Sequence, residues 1–351
     1  MTRKSKARYG LKRTYRVNPT VKALRAALMA GLMATASTVA LAAPPPVDIA
    51  IEYFESGDIT VVNATDLDAE AIYAAGGIVA ISDYGDVDIT NDGNITADAG
   101  YFYGYNALAA GIYAEAGYDA TVNNSGSISA YAYGSYGGPA RALGIYAVAG
   151  AFNGYGDAEI QNSGAIEVTT YSSSEAQSIG IAAYAEDGDV TVGNTGQIIA
   201  TSTVYADDYF TVSTATGISG YSEYGDVAIT NSGLINVAAY VYDESGYAVS
   251  TASAIGIRAS GYTVDIDNTA SIAAFASDDV YLGNSIAIGI DAEAYADITI
   301  SNTGDISLAG SSGDGYYYYS LGYPNYIRYT GDFVATGISA ESYEGSISIT
   351  N

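Results

Sequence analysis

The sequence predicts an all-β protein that folds as a right-handed parallel β-helix of about eight coils. Three observations support this fold class. A short motif containing asparagine and glycine returns along the chain at intervals of 28 to 49 residues. Apolar residues within each motif alternate with period two, which is typical of a half-buried strand and not of a helix. Another short apolar strand and a tight turn precede each motif, so every repeat supplies three strands to a stack.

The repeated motif is clearest in residues 87–97 and 227–237. In the second copy, Val227, Ile229 and Asn231 share one parity and therefore one face of a strand. We interpret the asparagines as an inward structural ladder, because stacked buried amides can hydrogen-bond to one another. A row of ligand-binding or metal-binding groups is the alternative interpretation. The asparagines that mark the repeats are Asn63, Asn91, Asn124, Asn162, Asn194, Asn231, Asn268, Asn302 and Asn351.

A second strand signature, Gly-Ile followed two residues later by a small residue, lies upstream of each asparagine motif. It occurs at Gly77-Ile78, Gly111-Ile112, Gly144-Ile145, Gly180-Ile181, Gly217-Ile218, Gly256-Ile257, Gly289-Ile290 and Gly337-Ile338. The turn that follows is often Gly-Asp, as at Gly85-Asp86, Gly156-Asp157, Gly188-Asp189 and Gly225-Asp226. Glycine and aspartate favour tight turns, so this pattern predicts a short connection to the asparagine strand.

The N-terminal residues 1–42 are typical of a helical secretory signal peptide with a long basic region. An apolar, small-residue run covers residues 26–42, and Ala40 and Ala42 satisfy the preference of signal peptidase for small residues. We therefore predict cleavage after Ala42, export through the inner membrane, a proline-rich spacer and N-terminal cap at residues 43–56, and β-helix repeats at 57–351. A membrane anchor or a nucleic-acid-binding arm is the alternative for the leader. The basic residues of this segment are Arg3, Lys4, Lys6, Arg8, Lys12, Arg13, Arg16, Lys22 and Arg25.

Composition excludes several function classes. Removal of the leader leaves three basic residues against all 39 acidic ones, a formal charge of −36. So acidic a chain repels nucleic acid phosphates, and we expect no nucleic acid partner. The chain has no histidine and no cysteine, which excludes Ser-His-Asp and Cys-His catalysis and ordinary zinc sites. We expect a protein that is not an enzyme and has no catalytic residues.

Tyrosine is concentrated in the predicted long loops. Each of these loops joins the strand that follows the asparagine to the next Gly-Ile strand. Since each coil places this loop at one corner, we expect one aromatic face along the rod, and tyrosine is favoured at binding surfaces. The alternative is that these residues extend the strands and shield the loops. The predicted partner surface consists of Tyr101, Tyr103, Tyr105, Tyr316, Tyr317, Tyr318, Tyr319, Tyr323, Tyr326 and Tyr329. Further loop tyrosines are Tyr131, Tyr133, Tyr136, Tyr205, Tyr209, Tyr240, Tyr242 and Tyr247.

Carboxylate pairs occur in the same loops, at Asp207-Asp208, Asp243-Glu244 and Asp278-Asp279. Neighbours on an extended chain point apart, so a catalytic pair is not favoured. We interpret them as solvated loop charges. We expect no cofactor, with Ca²⁺ binding through carboxylate oxygens as the alternative.

The basic leader, the Ala40-Leu41-Ala42 site and the repeats of the type Gly-Ile-x-Ala…Gly-Asp-Val-x-Ile-x-Asn-Ser-Gly-x-Ile together resemble the passenger region of bacterial autotransporters, which use type V secretion. The resemblance covers the chain from the leader to Asn351. It implies an adhesin-like β-helix that is displayed on a Gram-negative cell surface or secreted. It also implies passage of the outer membrane through a C-terminal β-barrel. Because Asn351 lies inside a repeat, we expect this chain to be truncated before that barrel.

Three functions remain open at this point. We expect an adhesin or a self-associating biofilm factor, which binds a host or bacterial cell-surface glycan or protein, or a second copy, through the Tyr- and Asp-rich loops. A secreted polysaccharide-active enzyme on a β-helix is the first alternative. A passive stalk for a C-terminal functional domain is the second.

Overall fold

The structure is a computed structural model that describes residues 47–100, 106–134, 138–151, 154–206, 210–242, 249–280, 283–312, 314–316, 328–330 and 332–351. All of these lie in one compact unit, Ala42–Asn351. They form strands and turns without a helix. Within these ranges, accordingly, no helix has the length and apolarity that a membrane crossing requires.

Three parallel sheets contain nearly all of the described strands. Sheet A contains β1 (Val47–Glu55), β4 (Ala74–Ser82), β7 (Ala107–Glu115), β10 (Ala140–Ala149), β13 (Glu175–Ala185), β16 (Phe210–Ser222), β19 (Val249–Gly261), β22 (Asn284–Ala294) and β27 (Phe333–Ser342). Sheet B contains β2 (Ile59–Asn63), β5 (Val87–Asn91), β8 (Ala120–Asn124), β11 (Ala158–Asn162), β14 (Val190–Asn194), β17 (Val227–Asn231), β20 (Val264–Asn268), β23 (Ile298–Asn302) and β28 (Ile347–Thr350). Sheet C contains β3 (Leu67–Ala71), β6 (Ile95–Ala99), β9 (Ile128–Tyr133), β12 (Ile166–Ser172), β15 (Ile198–Tyr205), β18 (Ile235–Tyr242), β21 (Ile272–Asp278) and β24 (Ile306–Ser312). Two short strands, β25 (Asp314–Tyr316) and β26 (Arg328–Thr330), form a separate antiparallel ribbon.

The chain passes from sheet B to sheet C to sheet A and then begins the next coil. Each strand therefore pairs in parallel with its equivalent in the neighbouring coils, as β17 pairs with β14 and β20. This confirms the predicted fold class, an all-β parallel solenoid. The predicted count of about eight coils differs slightly from the nine strands in sheets A and B, because β27 and β28 begin a further coil that has no sheet C strand among the described residues. The right-handed winding stays a prediction.

Alternation of apolar and polar residues decides which face of each strand is buried. In β17 the side chains of Val227, Ile229 and Asn231 are buried, and the two residues between them are exposed. These three residues pair with Val264, Ile266 and Asn268 of the next coil. Identical or similar residues thus stack in register, and the core is a column of aliphatic layers inside the three sheets.

The asparagines form a continuous buried ladder at the end of the sheet B strands. Each side chain from Asn63 to Asn302 donates one Nδ2 hydrogen bond to the Oδ1 atom of the asparagine in the next coil. The second Nδ2 hydrogen bond goes to the backbone carbonyl two residues later, as from Asn194 to Gly196 at 2.8 Å. The donors and the acceptor of each inner amide are therefore satisfied, and no polar atom of these amides is buried without a hydrogen-bond partner. The interpretation as a structural ladder is confirmed.

The Gly-Ile signature marks a bend in sheet A. In β16, Ser213 and Ala215 are buried before Gly217, whereas Ile218 and Gly220 are buried after it, so the inward parity shifts by one residue. A Cβ atom at Gly217 would lie 2.5 Å from the Gly256 carbonyl oxygen. Glycine is required there because successive coils approach closely at the bend.

Candidate interaction surface

Seven exposed tyrosines lie at the turns between sheet A and sheet B. Their exposed fractions range from 45% for Tyr118 to 73% for Tyr343. Because the coils stack in register, these turns share one corner of the solenoid. Large aromatic side chains that stay exposed at one corner are a candidate contact surface. We call this surface the turn ridge, and it consists of Tyr84, Tyr118, Tyr155, Tyr224, Tyr262, Tyr295 and Tyr343.

A row of seven exposed aspartates lies at the turns between sheet A and sheet B, and five of them follow a ridge tyrosine in the same turn. The Oδ1 atom of each aspartate accepts a hydrogen bond from the backbone N–H of the equivalent residue in the next coil, as Asp189 does from Asp226 at 2.8 Å. These bonds explain why the sequence carries aspartate here, since the carboxylate links neighbouring turns. We call these residues the aspartate row, and they are Asp58, Asp86, Asp119, Asp157, Asp189, Asp226 and Asp297.

Hydrogen bonds tie two ridge tyrosines to glutamates. A hydrogen bond to Glu223 raises the pKa of Tyr224, and a hydrogen bond to Glu344 raises the pKa of Tyr295. The rings of Tyr262 and Tyr295 also stack, with their centroids 5.7 Å apart. The ridge is thus partly ordered by its own side chains before any partner binds.

The turn of one coil carries Asp187 instead of tyrosine, next to Glu186. Burial, followed by the charges of Asp187 and Glu223, raises the pKa of Glu186. The ridge therefore contains an acidic patch between Tyr155 and Tyr224.

A second aromatic group lies at the end of sheet C, near the corner where we predicted the tyrosine face. The rings of Tyr205 and Tyr242 stack with their centroids 5.5 Å apart. Two tilted ring pairs lie nearby, Tyr240 with Phe275 at a centroid distance of 5.3 Å and Tyr131 with Tyr171 at 5.8 Å. These residues belong to strands that extend further than expected, so they lie on a sheet and not in free loops.

The predicted partner surface itself is not tested. Tyr101, Tyr103, Tyr105, Tyr317, Tyr318, Tyr319, Tyr323 and Tyr326 lie outside the described residues. The backbone of Tyr316 pairs with Arg328 in the ribbon of β25 and β26, and Tyr329 pairs with Gly315. This surface and the predicted cleavage after Ala42 stay predictions.

One predicted solvated charge is buried instead. Asp278 is fully buried, and both of its carboxylate oxygens accept from the Ser250 hydroxyl at 2.7 Å. The prediction was wrong because Ser250 belongs to β19, a strand remote in sequence, and alternation along β21 turns Asp278 inward. The neighbouring Asp279 is exposed, as expected. The pairs Asp207-Asp208 and Asp243-Glu244 lie outside the described residues.

The outer face of sheet B carries a shallow polar depression of about 540 Å³, lined by residues such as Thr90, Asn123, Gln161 and Thr191. Asp92 is the one carboxylate among its described lining residues. Hydrolysis of a glycosidic bond ordinarily uses two carboxylates about 5 to 9.5 Å apart. This depression therefore does not supply that pair.

Within the described ranges, no group of three or more Asp or Glu side chains is arranged to hold a metal ion. The expectation of no cofactor, and its alternative of Ca²⁺, stay predictions. Comparisons with models of known protein families, with characterised proteins and with solved structures gave no match.

Proposed function

We propose that this chain is a surface-displayed or secreted β-helical passenger of the autotransporter type, which acts as an adhesin or self-association factor. The observation that carries the proposal is the turn ridge, where the stacked coils hold exposed tyrosines along one corner. A stack of equivalent coils produces an extended surface and not a single enclosed pocket. Extended aromatic surfaces suit binding to other macromolecules.

The sequence supports the export part of the proposal. A secretory leader precedes the solenoid, and the chain has no cysteine that could form disulfides during passage. Stability then depends on packing and on hydrogen-bond ladders such as the asparagine column, which form as each coil adds to the last. The partner is a host or bacterial cell-surface molecule, or a second copy.

Two other functions remain in the proposal as alternatives. A polysaccharide-active enzyme needs convergent carboxylates, and the depression on sheet B is lined by Asp92 alone among its described residues. A passive stalk would need no exposed aromatic surface. The turn ridge therefore favours a binding role over both.

The test uses the full chain, exported with its own leader and purified from the cell surface or medium. Fluorescent beads coated with this protein are mixed with bacterial and host cells, and separately with one another. We expect adhesion to cells or bead clustering, and no depolymerisation of polysaccharides. Polysaccharide cleavage without adhesion would support the enzyme, and the absence of both would support the stalk.

Two variants separate the two tyrosine surfaces. The first removes part of the predicted loop surface and carries Tyr316→Ser, Tyr317→Ser, Tyr318→Ser and Tyr319→Ser. The second removes part of the turn ridge and carries Tyr262→Ser and Tyr295→Ser. If the turn ridge is the contact surface, the second variant loses adhesion and the first retains it. The opposite result would assign contact to the loops.

A further inference from the structure

We propose that the turn ridge and the aspartate row bind an extended polypeptide segment rich in arginine or lysine, which lies along the stack of coils. The inference deepens the proposed function and rests on its assignment of the turn ridge as a contact surface. It selects a cationic protein partner over a neutral glycan or a second copy.

The tyrosines supply the first half of the recognition. Tyr224 and Tyr155 are 62% and 70% exposed, so their ring faces are open to a ligand. A guanidinium or ammonium group over an aromatic face is attracted by the ring quadrupole. The stacked pair Tyr262 and Tyr295 forms a wider aromatic platform next to them. Arginine also stacks on such a platform through its planar guanidinium.

The aspartates supply the second half. Each carboxylate of the aspartate row is held by a backbone N–H at Oδ1, as Asp157 is by Asp189 at 2.8 Å. A carboxylate offers about four acceptor sites, so capacity remains on the exposed side. These charges are fixed in position before binding, which lowers the entropy cost of pairing with arginine.

The charge of the chain indicates that its partner is positively charged. After Arg25, the last basic residue of the leader, the sequence contains three basic residues. Arg141 pairs with Glu175 at 2.9 Å, and Arg258 pairs with Asp291 at 3.6 Å. A second copy would bring the same negative charge to the ridge and be repelled, whereas a cationic segment is attracted over a Debye length.

The spacing fits an extended peptide. Neighbouring coils lie about 4.8 Å apart, and residues on one side of an extended strand lie about 6.7 Å apart. Three coil-to-coil steps, as from Tyr118 to Tyr224, and two such peptide steps therefore both span about 14 Å. Flexible arginine and lysine side chains absorb the remaining mismatch. The coil with Asp187 instead of tyrosine places its acidic patch inside this span, where a cation is most strongly favoured.

The experiment measures binding of a fluorescent ten-residue Arg-Ser alternating peptide to the exported, purified chain by anisotropy at about 0.15 M salt. The ridge variant carries Tyr262→Ser and Tyr295→Ser, at residues 47% and 49% exposed. The matched control carries Tyr53→Ser and Tyr73→Ser, at residues 41% and 43% exposed outside the ridge. We expect the ridge variant to bind about five- to thirty-fold more weakly, from two exposed cation–π contacts, and the control to bind within about two-fold of the wild type.

Additional variants keep the test interpretable. A variant with Tyr262→Phe and Tyr295→Phe retains the rings, and we expect it to bind like the wild type. It distinguishes loss of the rings from any disturbance of the turn by serine. Asp189→Asn with Asp226→Asn weakens binding more than Asp88→Asn with Asp265→Asn, which removes equal charge from the outer face of sheet B. The inference is overturned if ridge and control variants bind equally, since attraction would then depend on net charge alone. It is also overturned if a Gln-Ser peptide binds equally well, or if sedimentation shows dimers that the ridge variant abolishes.

The inference and the proposed function fail separately. Cell adhesion that survives while peptide binding proves independent of the ridge overturns the inference alone. Ridge-dependent peptide binding by a chain that adheres to no cell and forms no clusters supports the inference and overturns the adhesin function.

Discussion

Removal of one inner asparagine should destabilise the solenoid more than removal of a terminal one. Asn194 accepts from Asn162 and donates to Asn231 and to the Gly196 carbonyl, each at 2.8 Å. Asn194→Ala leaves these three buried groups without their partner. An unsatisfied buried group costs about 1–3 kcal/mol, so the free energy of unfolding should fall by about 3–9 kcal/mol before relaxation. We expect at least about 3 kcal/mol to remain after local rearrangement and water entry.

The first asparagine of the ladder provides the comparison. Asn63 donates to Asn91 at 2.7 Å and to the carbonyl of Thr65, which is exposed and can bond to water. Asn63→Ala therefore orphans one buried acceptor, and we expect a loss of about 1–3 kcal/mol. Asn123→Ala is the control, since Asn123 is exposed on the outer face, and should stay within about 0.5 kcal/mol of the wild type.

Urea unfolding followed by circular dichroism measures the three variants, and hydrogen exchange locates the coils that open, because solenoids need not unfold in one step. Equal losses for Asn194→Ala and Asn123→Ala would refute the reasoning. Asn194→Asp gives a second check. A protonated carboxyl can donate one of the two lost bonds, and burial raises the pKa of this carboxyl in the folded state. The penalty relative to the wild type should therefore shrink as the pH falls from neutral toward the ordinary range of aspartate, and it should stay constant below that range.

Three further predictions concern other parts of the chain. Gly217→Ala should lower the urea midpoint of unfolding, because its Cβ would lie 2.5 Å from a backbone oxygen. Gly337→Ala is the control and should be nearly neutral, since its Cβ would have no atom within 4 Å. Equal effects would contradict the close approach of the coils at Gly217. Burial, then Glu70, then Asp68 raise the pKa of Asp98, which lies opposite Glu70, so its charged form destabilises the fold above that pKa. Asp98→Asn should therefore stabilise the protein at neutral pH by about 0.2–1 kcal/mol, and this gain should vanish in acid; a gain independent of pH would argue against the charge. Mass spectrometry of the exported chain should find Ala43 as its first residue, and a retained leader would contradict the predicted cleavage.

The parity of residues around each asparagine made much of the fold predictable. A period of two assigns Val227, Ile229 and Asn231 to one face, and the repeat spacing requires equivalent strands to stack. The ladder followed, because an inward amide in every coil has its neighbours as the nearest partners. Local pattern therefore determined sheet composition, inward face and register.

The sequence pattern of the sheet A strands contains the bend, but we predicted only part of each strand from it. In β7 the inward residues are Ala107 and Ala109 before Gly111, and Ile112 and Ala114 after it. That change of parity is present in the sequence. We predicted the Gly-Ile strand from its second half alone, so the bend at glycine appeared only in the structure.

The turn ridge and the environment of Asp278 depend on contacts between coils. Tyrosines occur beside the Gly-Asp turns in the sequence, as at Tyr155 and Tyr224, but the stacking of Tyr262 on Tyr295 needs the alignment of turns with different residues. Ser250 reaches Asp278 from another strand, which no local pattern signals. The longest predicted tyrosine loop lies largely outside the described residues, so its role rests on sequence reasoning.

The central claim is that successive coils stack in parallel and in register, and cysteine cross-linking tests it most directly because the chain has no native cysteine. Thr191 and Ala228 are exposed register partners on β14 and β17, with Cα atoms about 4.8 Å apart, within the span of a disulfide. Thr191 and Thr230 are offset by two residues and about 8 Å apart, beyond that span. Under mild oxidation, Thr191→Cys with Ala228→Cys should form an intramolecular disulfide, and Thr191→Cys with Thr230→Cys should not. Efficient bridging of the offset pair, or no bridging of the register pair, would contradict the stacked solenoid.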